Sequence, residues 1–125
     1  MPACKTILAT GLAAAALAAL GACGGAPPPD RAAQAAGAAG LSPADPHLAD
    51  LYAHACRTCH VNAASGAPLT ADRDAWRDRW KKGLPALVAS AVQGRGGMPA
   101  GGQCARCTVP DYEALIRFMA GAQDP

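Results

Sequence analysis

The chain has 125 residues, 51% of them hydrophobic but only 4% aromatic, and carries 11 Lys and Arg against 9 Asp and Glu. A formal net charge of +2 is too weak for an electrostatic footprint on nucleic acid, which is set aside as a partner class. One small domain is expected, and with one Phe, two Trp and two Tyr its side chains alone make a thin core, so a disulfide, a metal or an apolar cofactor is needed to complete the interior.

Lys5 precedes an apolar run from Ile7 to Leu20 that closes in small residues before Cys23, the pattern of a secretory signal. The run is shorter than the ~20 residues a spanning helix needs, so export without a permanent span is the expectation. Leu20-Gly21-Ala22-Cys23 resembles the bacterial lipobox. That resemblance implies a signal peptide of lipoprotein type over residues 1–22, loss of Cys4, and lipid on Cys23 that ties the chain to the membrane of the cell envelope on its periplasmic side. Residues 23–44 lack the branched and aromatic side chains that offset chain ordering, and read as the anchor and a flexible Gly/Ala/Pro-rich tether. Twenty residues of such chain have a root-mean-square reach of roughly 25 Å.

From residue 45 to 125 the pattern is helical. Asp45 is a candidate N-cap with Pro46 at the first helical position, and Leu48, Leu51, Tyr52 and Ala55 follow at i, i+3, i+4 and i+7, leading straight into Cys56. A second helix is expected from Asp72 to Lys82, with Trp76 and Trp80 on one face. A third starts at Pro85 and stops at Gly94, with Leu84, Leu87, Val88, Ala91 and Val92 on one side. The loop from Gly94 to Gly102 is too glycine-rich to be helix or strand throughout, and a fourth helix spans about Val109 to Ala120 with Thr108 as N-cap. No strand pattern is visible, so the fold class is all-α.

Cys56-Arg57-Thr58-Cys59-His60 has the C-x-x-C-H spacing of c-type haem attachment. Two thiols one helical turn apart can add to the two vinyl groups of one macrocycle, and the adjacent histidine then lies on the side from which it can bind the iron. A sixth ligand is wanted for low-spin electron transfer, and methionine there raises the potential. Met98 is the candidate, 38 residues after His60, in a loop whose glycines permit close approach and whose Pro99 keeps it extended. The competing reading is an ordinary loop methionine. Met119 falls on the apolar stripe of the last helix and reads as core, while His47 and His54 read as solvated or capping residues.

These residues resemble the class I monohaem cytochromes c, and within them the bacterial cytochrome c5 group. The resemblance runs from about Leu48 to Gly121 and rests on Cys56 to His60, Gly66-Ala67-Pro68, the helix containing Trp76, Gly94-Arg95-Gly96-Gly97-Met98-Pro99, Gly101-Gly102 and Cys104-Ala105-Arg106-Cys107. It implies a small fold of about four helices around one covalent haem c, with His60 and Met98 as axial ligands. It further implies that the Pro68 carbonyl receives the other ring N–H of His60 and that the Trp76 indole meets a haem propionate, although core packing explains Trp76 equally well. Val61 stands where the family usually has glycine, and Thr108-Val109-Pro110-Asp111 replaces an acidic helix start.

With Cys56 and Cys59 on haem, Cys23 on lipid and Cys4 removed, Cys104 and Cys107 remain. A disulfide across this short loop is the simple reading, and a redox-active dithiol the alternative. Arg73, Arg77 and Lys81 recur at i, i+4 and i+8 as a stripe that either docks an acidic partner or is simply solvated. The function expected is single-electron transfer between a redox donor and an acceptor in a bacterial periplasmic chain, with no catalysis by the protein itself. The rivals are a structural zinc site on Cys56, Cys59, Cys104 and Cys107, and a haem sensor or enzyme with a labile Met98.

Overall fold

The structure is a computed structural model that describes residues 30–121. The expected signal peptide (1–22) and Cys23 lie outside the described residues. Among those described, the elements are helices joined by turns, with no strand beyond one isolated bridge between Arg95 and Met98. This agrees with the all-α class.

Helix α1 (Arg31–Ala39) is a correction to the flexible tether expected over 23–44. Asp30 Oδ1 accepts from the backbone N–H of Ala32 at 2.9 Å and of Ala33 at 3.4 Å, which satisfies two donors of the first turn. The run that follows is mostly alanine, the best helix former. Ala35 and Ala38 then bury on Leu69, which is wholly inaccessible. Small side chains contribute little area each, but they let the helix approach closely, and a low-hydrophobicity segment is ordered by docking.

Helix α2 (Pro46–Leu51) begins as expected, with Asp45 Oδ1 accepting from Leu48 N at 2.9 Å. It continues without a break through a π turn (Tyr52–Cys56), closed by Arg57 N–H on the Tyr52 carbonyl, into α3 (Arg57–His60). A π turn is rare and recurs at functional positions. Here it delivers the chain to Cys56. Helix α4 (Arg73–Trp80) is capped by Asp72, and α5 (Leu84–Gln93) starts with Pro85 in its first turn and ends at Gly94, whose φ of +83° favours glycine. A 3₁₀ turn (Ala100–Gln103) ends the glycine-rich loop.

Helix α6 (Val109–Met119) closes the fold through a reciprocal cap. The Thr108 hydroxyl accepts from Asp111 N at 3.4 Å, and the Asp111 carboxylate accepts from Thr108 N at 2.8 Å. The residues that depart from the family's helix start therefore build an equivalent one. Leu115, Ile116 and Met119 of α6 join Leu51, Tyr52, Trp76 and Val88 in the main core. The Tyr52 and Phe118 rings meet edge to face, 5.1 Å between centroids.

Candidate haem site

A cavity of about 430 Å³ opens between the end of α3, α5, α6 and the glycine-rich loop. Its lining is mainly apolar, and Cys56, Cys59, His60, Met98, Trp76 and Leu115 all reach it. The structure thus brings to one wall or another of a single cavity every residue that the sequence assigned to a haem, Pro68 included.

Cys56, which ends the π turn, and Cys59 of α3 lie one turn apart, the former half-buried and the latter exposed, and neither is in a disulfide. Burial, with the neighbouring Cys59 thiol adding to it, pushes the Cys56 thiol up to about 11. It is therefore a protonated thiol at neutral pH in the protein without its cofactor.

His60 is 6% exposed and closes the same helix. Its Nδ1 lies 2.7 Å from the Pro68 carbonyl oxygen, so Nδ1 is the protonated nitrogen and Nε2 is left with its lone pair on the cavity. Burial pulls the imidazole below its ordinary value, with the Arg79 charge acting in the same direction and the Pro68 bond opposing. A neutral imidazole with one fixed N–H and one open nitrogen is the form in which histidine binds a metal.

The Trp76 ring lies nearly parallel to His60, 22° between planes and 5.9 Å between centroids. Its indole N–H has a partner within the protein, as the core-packing reading of Trp76 expects. It donates to the Leu69 carbonyl at 2.8 Å, because a buried indole N–H needs a partner and this carbonyl is within reach. Trp76 remains part of the cavity wall and packs beside the histidine.

Met98 sits where the chain reverses: Arg95 N donates to Met98 O at 2.9 Å and Met98 N to Arg95 O at 3.0 Å. Of the surrounding glycines, Gly94 is sterically required by backbone atoms, and Gly102 lies against the Met98 side chain. A Cβ on Gly94 would stand 2.8 Å from Ala100 N, and one on Gly102 would stand 2.9 Å from Met98 Cε. Met119 is 4% exposed and belongs to the core as expected, although its side chain also reaches the cavity. His47 pairs with Asp111 at 3.0 Å and His54 with Asp50, and neither lines the cavity.

Cys104 and Cys107 are in disulfide contact, with Cα atoms 5.4 Å apart. The zinc alternative is therefore not assembled: its two cysteine pairs are separate, and no three metal-ligating side chains cluster among the described residues. Tyr112 is a residue that sequence reasoning treated only as an apolar position of the last helix. Its hydroxyl donates to the Gly101 carbonyl at 2.8 Å and approaches that of Cys104 at 3.3 Å, tying the glycine-rich loop to α6. Arg79 and Lys82 were also missed, and with Arg95 they place positive charge on the cavity rim. Of the stripe, Arg77 and Lys81 pair with Asp74 and Asp78 on an exposed surface. That is a solvated arrangement of small energetic weight.

Residues 43–119 match the protein family described as "Cytochrome C oxidase, cbb3-type, subunit III". A curated relative, cytochrome c5 of Ectopseudomonas mendocina, is 36% identical over 74 residues, which cover 58% of this chain and 85% of the relative. The chain belongs to the cytochrome c family.

As a cytochrome c of the c5-like kind, the protein is an electron carrier with one covalent c-type haem. The residues present fit that group. Two thiols share one helical turn, an imidazole offers an open nitrogen, a thioether sulfur stands on the same cavity, and the remaining wall is apolar with cations on its rim.

Proposed function

We propose that Cys56 and Cys59 hold the haem through thioethers, that His60 and Met98 are its two axial ligands, and that the cytochrome passes single electrons between protein partners in the periplasm while lipid on Cys23 keeps it at the membrane. The observation that carries the ligand assignment is the bond between His60 Nδ1 and the Pro68 carbonyl, which fixes the tautomer and leaves Nε2 open to a cavity that Met98 also enters. The haem supplies a one-electron couple, and the protein supplies ligands, burial and an open rim.

Each side chain has a stated part in this reading. Trp76 and Pro68 hold the His60 ring in one plane. The turn from Arg95 to Met98, the crowding at Gly102 and the Tyr112 bond hold the sulfur of Met98 against the apolar wall. Arg79, Lys82 and Arg95 supply positive charge where carboxylates of the cofactor or of a partner surface would lie. With both axial positions filled, no site remains for a substrate, and the protein has no catalysis of its own.

Spectroscopy of the purified protein tests the assignment. A haem that resists acid–acetone extraction, a low-spin ferric spectrum and a weak near-infrared band from a methionine-sulfur bond are expected. Extractable haem would refute the thioethers. A high-spin ferric spectrum would refute Met98 ligation and point to a haem that binds external ligands.

A further inference from the structure

We propose that α1 is an outer brace for the axial histidine, with Arg31 as its positioning residue. The inference rests on the reading of His60 as an iron ligand. Helix α1 lies outside residues 43–119, the stretch that matches the family. It lies beyond the matched stretch, and the question is what it does there.

Arg31 spans two backbone carbonyls of the loop that follows His60. Its Nε donates to Ala63 O at 2.8 Å and its Nη2 to Ala67 O at 2.7 Å. The next residue after Ala67 is Pro68, whose carbonyl sits 2.7 Å from His60 Nδ1. The Ala67 N–H donates to Ser65 Oγ at 3.1 Å, but proline has no N–H to anchor the chain at the next residue, so Arg31 adds a restraint on the carbonyl side that the loop does not supply itself. The planar guanidinium fork can hold two carbonyls in one fixed geometry, which a lysine ammonium on a flexible stem does not reproduce.

Two further attachments converge on the same histidine. Ala35 and Ala38 cover Leu69, whose carbonyl accepts the Trp76 indole N–H, and Trp76 stacks on His60. At the far end of α1 the Ala39 carbonyl accepts from Arg57 Nη2 at 2.7 Å, and Arg57 lies between Cys56 and Cys59. One helix thus touches the Pro68 side, the Trp76 side and the attachment segment of a single imidazole. Removing Arg31 frees the Ala67 carbonyl and lets Pro68 drift from Nδ1. The imidazole then donates less charge to its metal, because the N–H···O=C bond is what raises its basicity.

The test is Arg31→Ala in the full-length holoprotein, read by redox titration and by NMR of the His60 ring protons. The midpoint potential should rise, since a weaker donor stabilises the ferric state less, and the Nδ1 proton should exchange with solvent faster than in the wild type. Arg31→Lys keeps one carbonyl contact and should recover part of both changes. Asp45→Ala, which removes the side-chain cap of α2 and touches none of the Arg31, Pro68 or Trp76 contacts, serves as a control that lowers the melting temperature and leaves the potential unmoved. Wild-type potential and wild-type exchange in Arg31→Ala would overturn the brace, however much stability is lost. A wild-type protein lacking histidine signals shifted by the iron would instead overturn the ligand reading on which the brace rests.

Discussion

The hydroxyl of Tyr112 reaches 2.8 Å across from α6 to the carbonyl of Gly101, three residues beyond Met98. A partly buried hydrogen bond of this kind contributes about 1 kcal/mol. Tyr112→Phe should lower stability by that order. It should also make the near-infrared band fade at a lower temperature than in the wild type, because the loop holding Met98 loses its tie to the last helix. Parallel melting curves followed at the Soret and near-infrared bands check this, and identical curves would remove Tyr112 from the Met98 support.

Met98→Ala should convert the oxidised protein to high spin, abolish the near-infrared band and open the iron to cyanide or carbon monoxide. Reduction of Cys104–Cys107 should weaken the band only in part, since Tyr112 still restrains the loop. An unaltered low-spin spectrum in Met98→Ala would direct attention to Met119, the other methionine on the cavity wall.

Two glycines separate backbone strain from contact with the methionine. Gly96 and Gly102 both have φ near +60°, a region in which a side chain costs about 1–2 kcal/mol. A Cβ on Gly96 meets nothing within 4 Å, whereas one on Gly102 falls 2.9 Å from Met98 Cε. Gly96→Ala should therefore cost stability alone, and Gly102→Ala should also weaken the methionine band. Absorption spectra of the two variants at equal folded fraction make the comparison.

Acid should loosen α6 first at its start. The Thr108 backbone N–H and then its hydroxyl hold the Asp111 carboxyl below its ordinary 3.8, with His47 adding to them. A depressed carboxylate contributes stability that is present above the unfolded value and lost as pH falls through the folded one, so the loss begins below about pH 4. Asp111→Asn should flatten this acid limb of the stability curve, which thermal melts across the range would reveal.

The membrane tie is tested by Cys23→Ser, which should move the mature protein from the membrane fraction to the soluble periplasm. Unchanged partition would mean that something other than lipid on Cys23 retains it.

Much of the site was legible because covalent attachment fixes spacing: Cys56, Cys59 and His60 follow from five consecutive residues. The helix starts at Asp45, Asp72 and Thr108 were legible for a local reason too, since each cap is a side chain bonding to the N–H three residues on. Helix α1 was missed even though Asp30 and its alanine run offered the same local signals. Ala35 and Ala38 look unable to offset ordering until Leu69 is seen beneath them, and Arg31 gives no hint that its partners are carbonyls more than thirty residues away. For Trp76 the sequence left a propionate contact and core packing both open, because nothing in it shows the Leu69 carbonyl within reach of the indole N–H. Tyr112 fits an apolar stripe by spacing, and only the tertiary path of the loop shows where its hydroxyl goes.

The docking of α1 changes the geometry of any membrane tie. A coil running from Cys23 to residue 44 would be a long leash, letting the cytochrome tumble and present every face in turn. With α1 packed on the domain, only seven peptide steps separate Cys23 from Asp30, a contour of at most about 25 Å. The described chain starts at Asp30, next to Arg31, whose guanidinium holds the Ala63 and Ala67 carbonyls on the flank that leads to Pro68 and His60. A cytochrome moored so close and at that flank is not a free swimmer. Under the proposed lipid tie at Cys23, the histidine side would be held toward the bilayer, and the redox protein able to approach the rim would be chosen in part by where the mooring line leaves the hull.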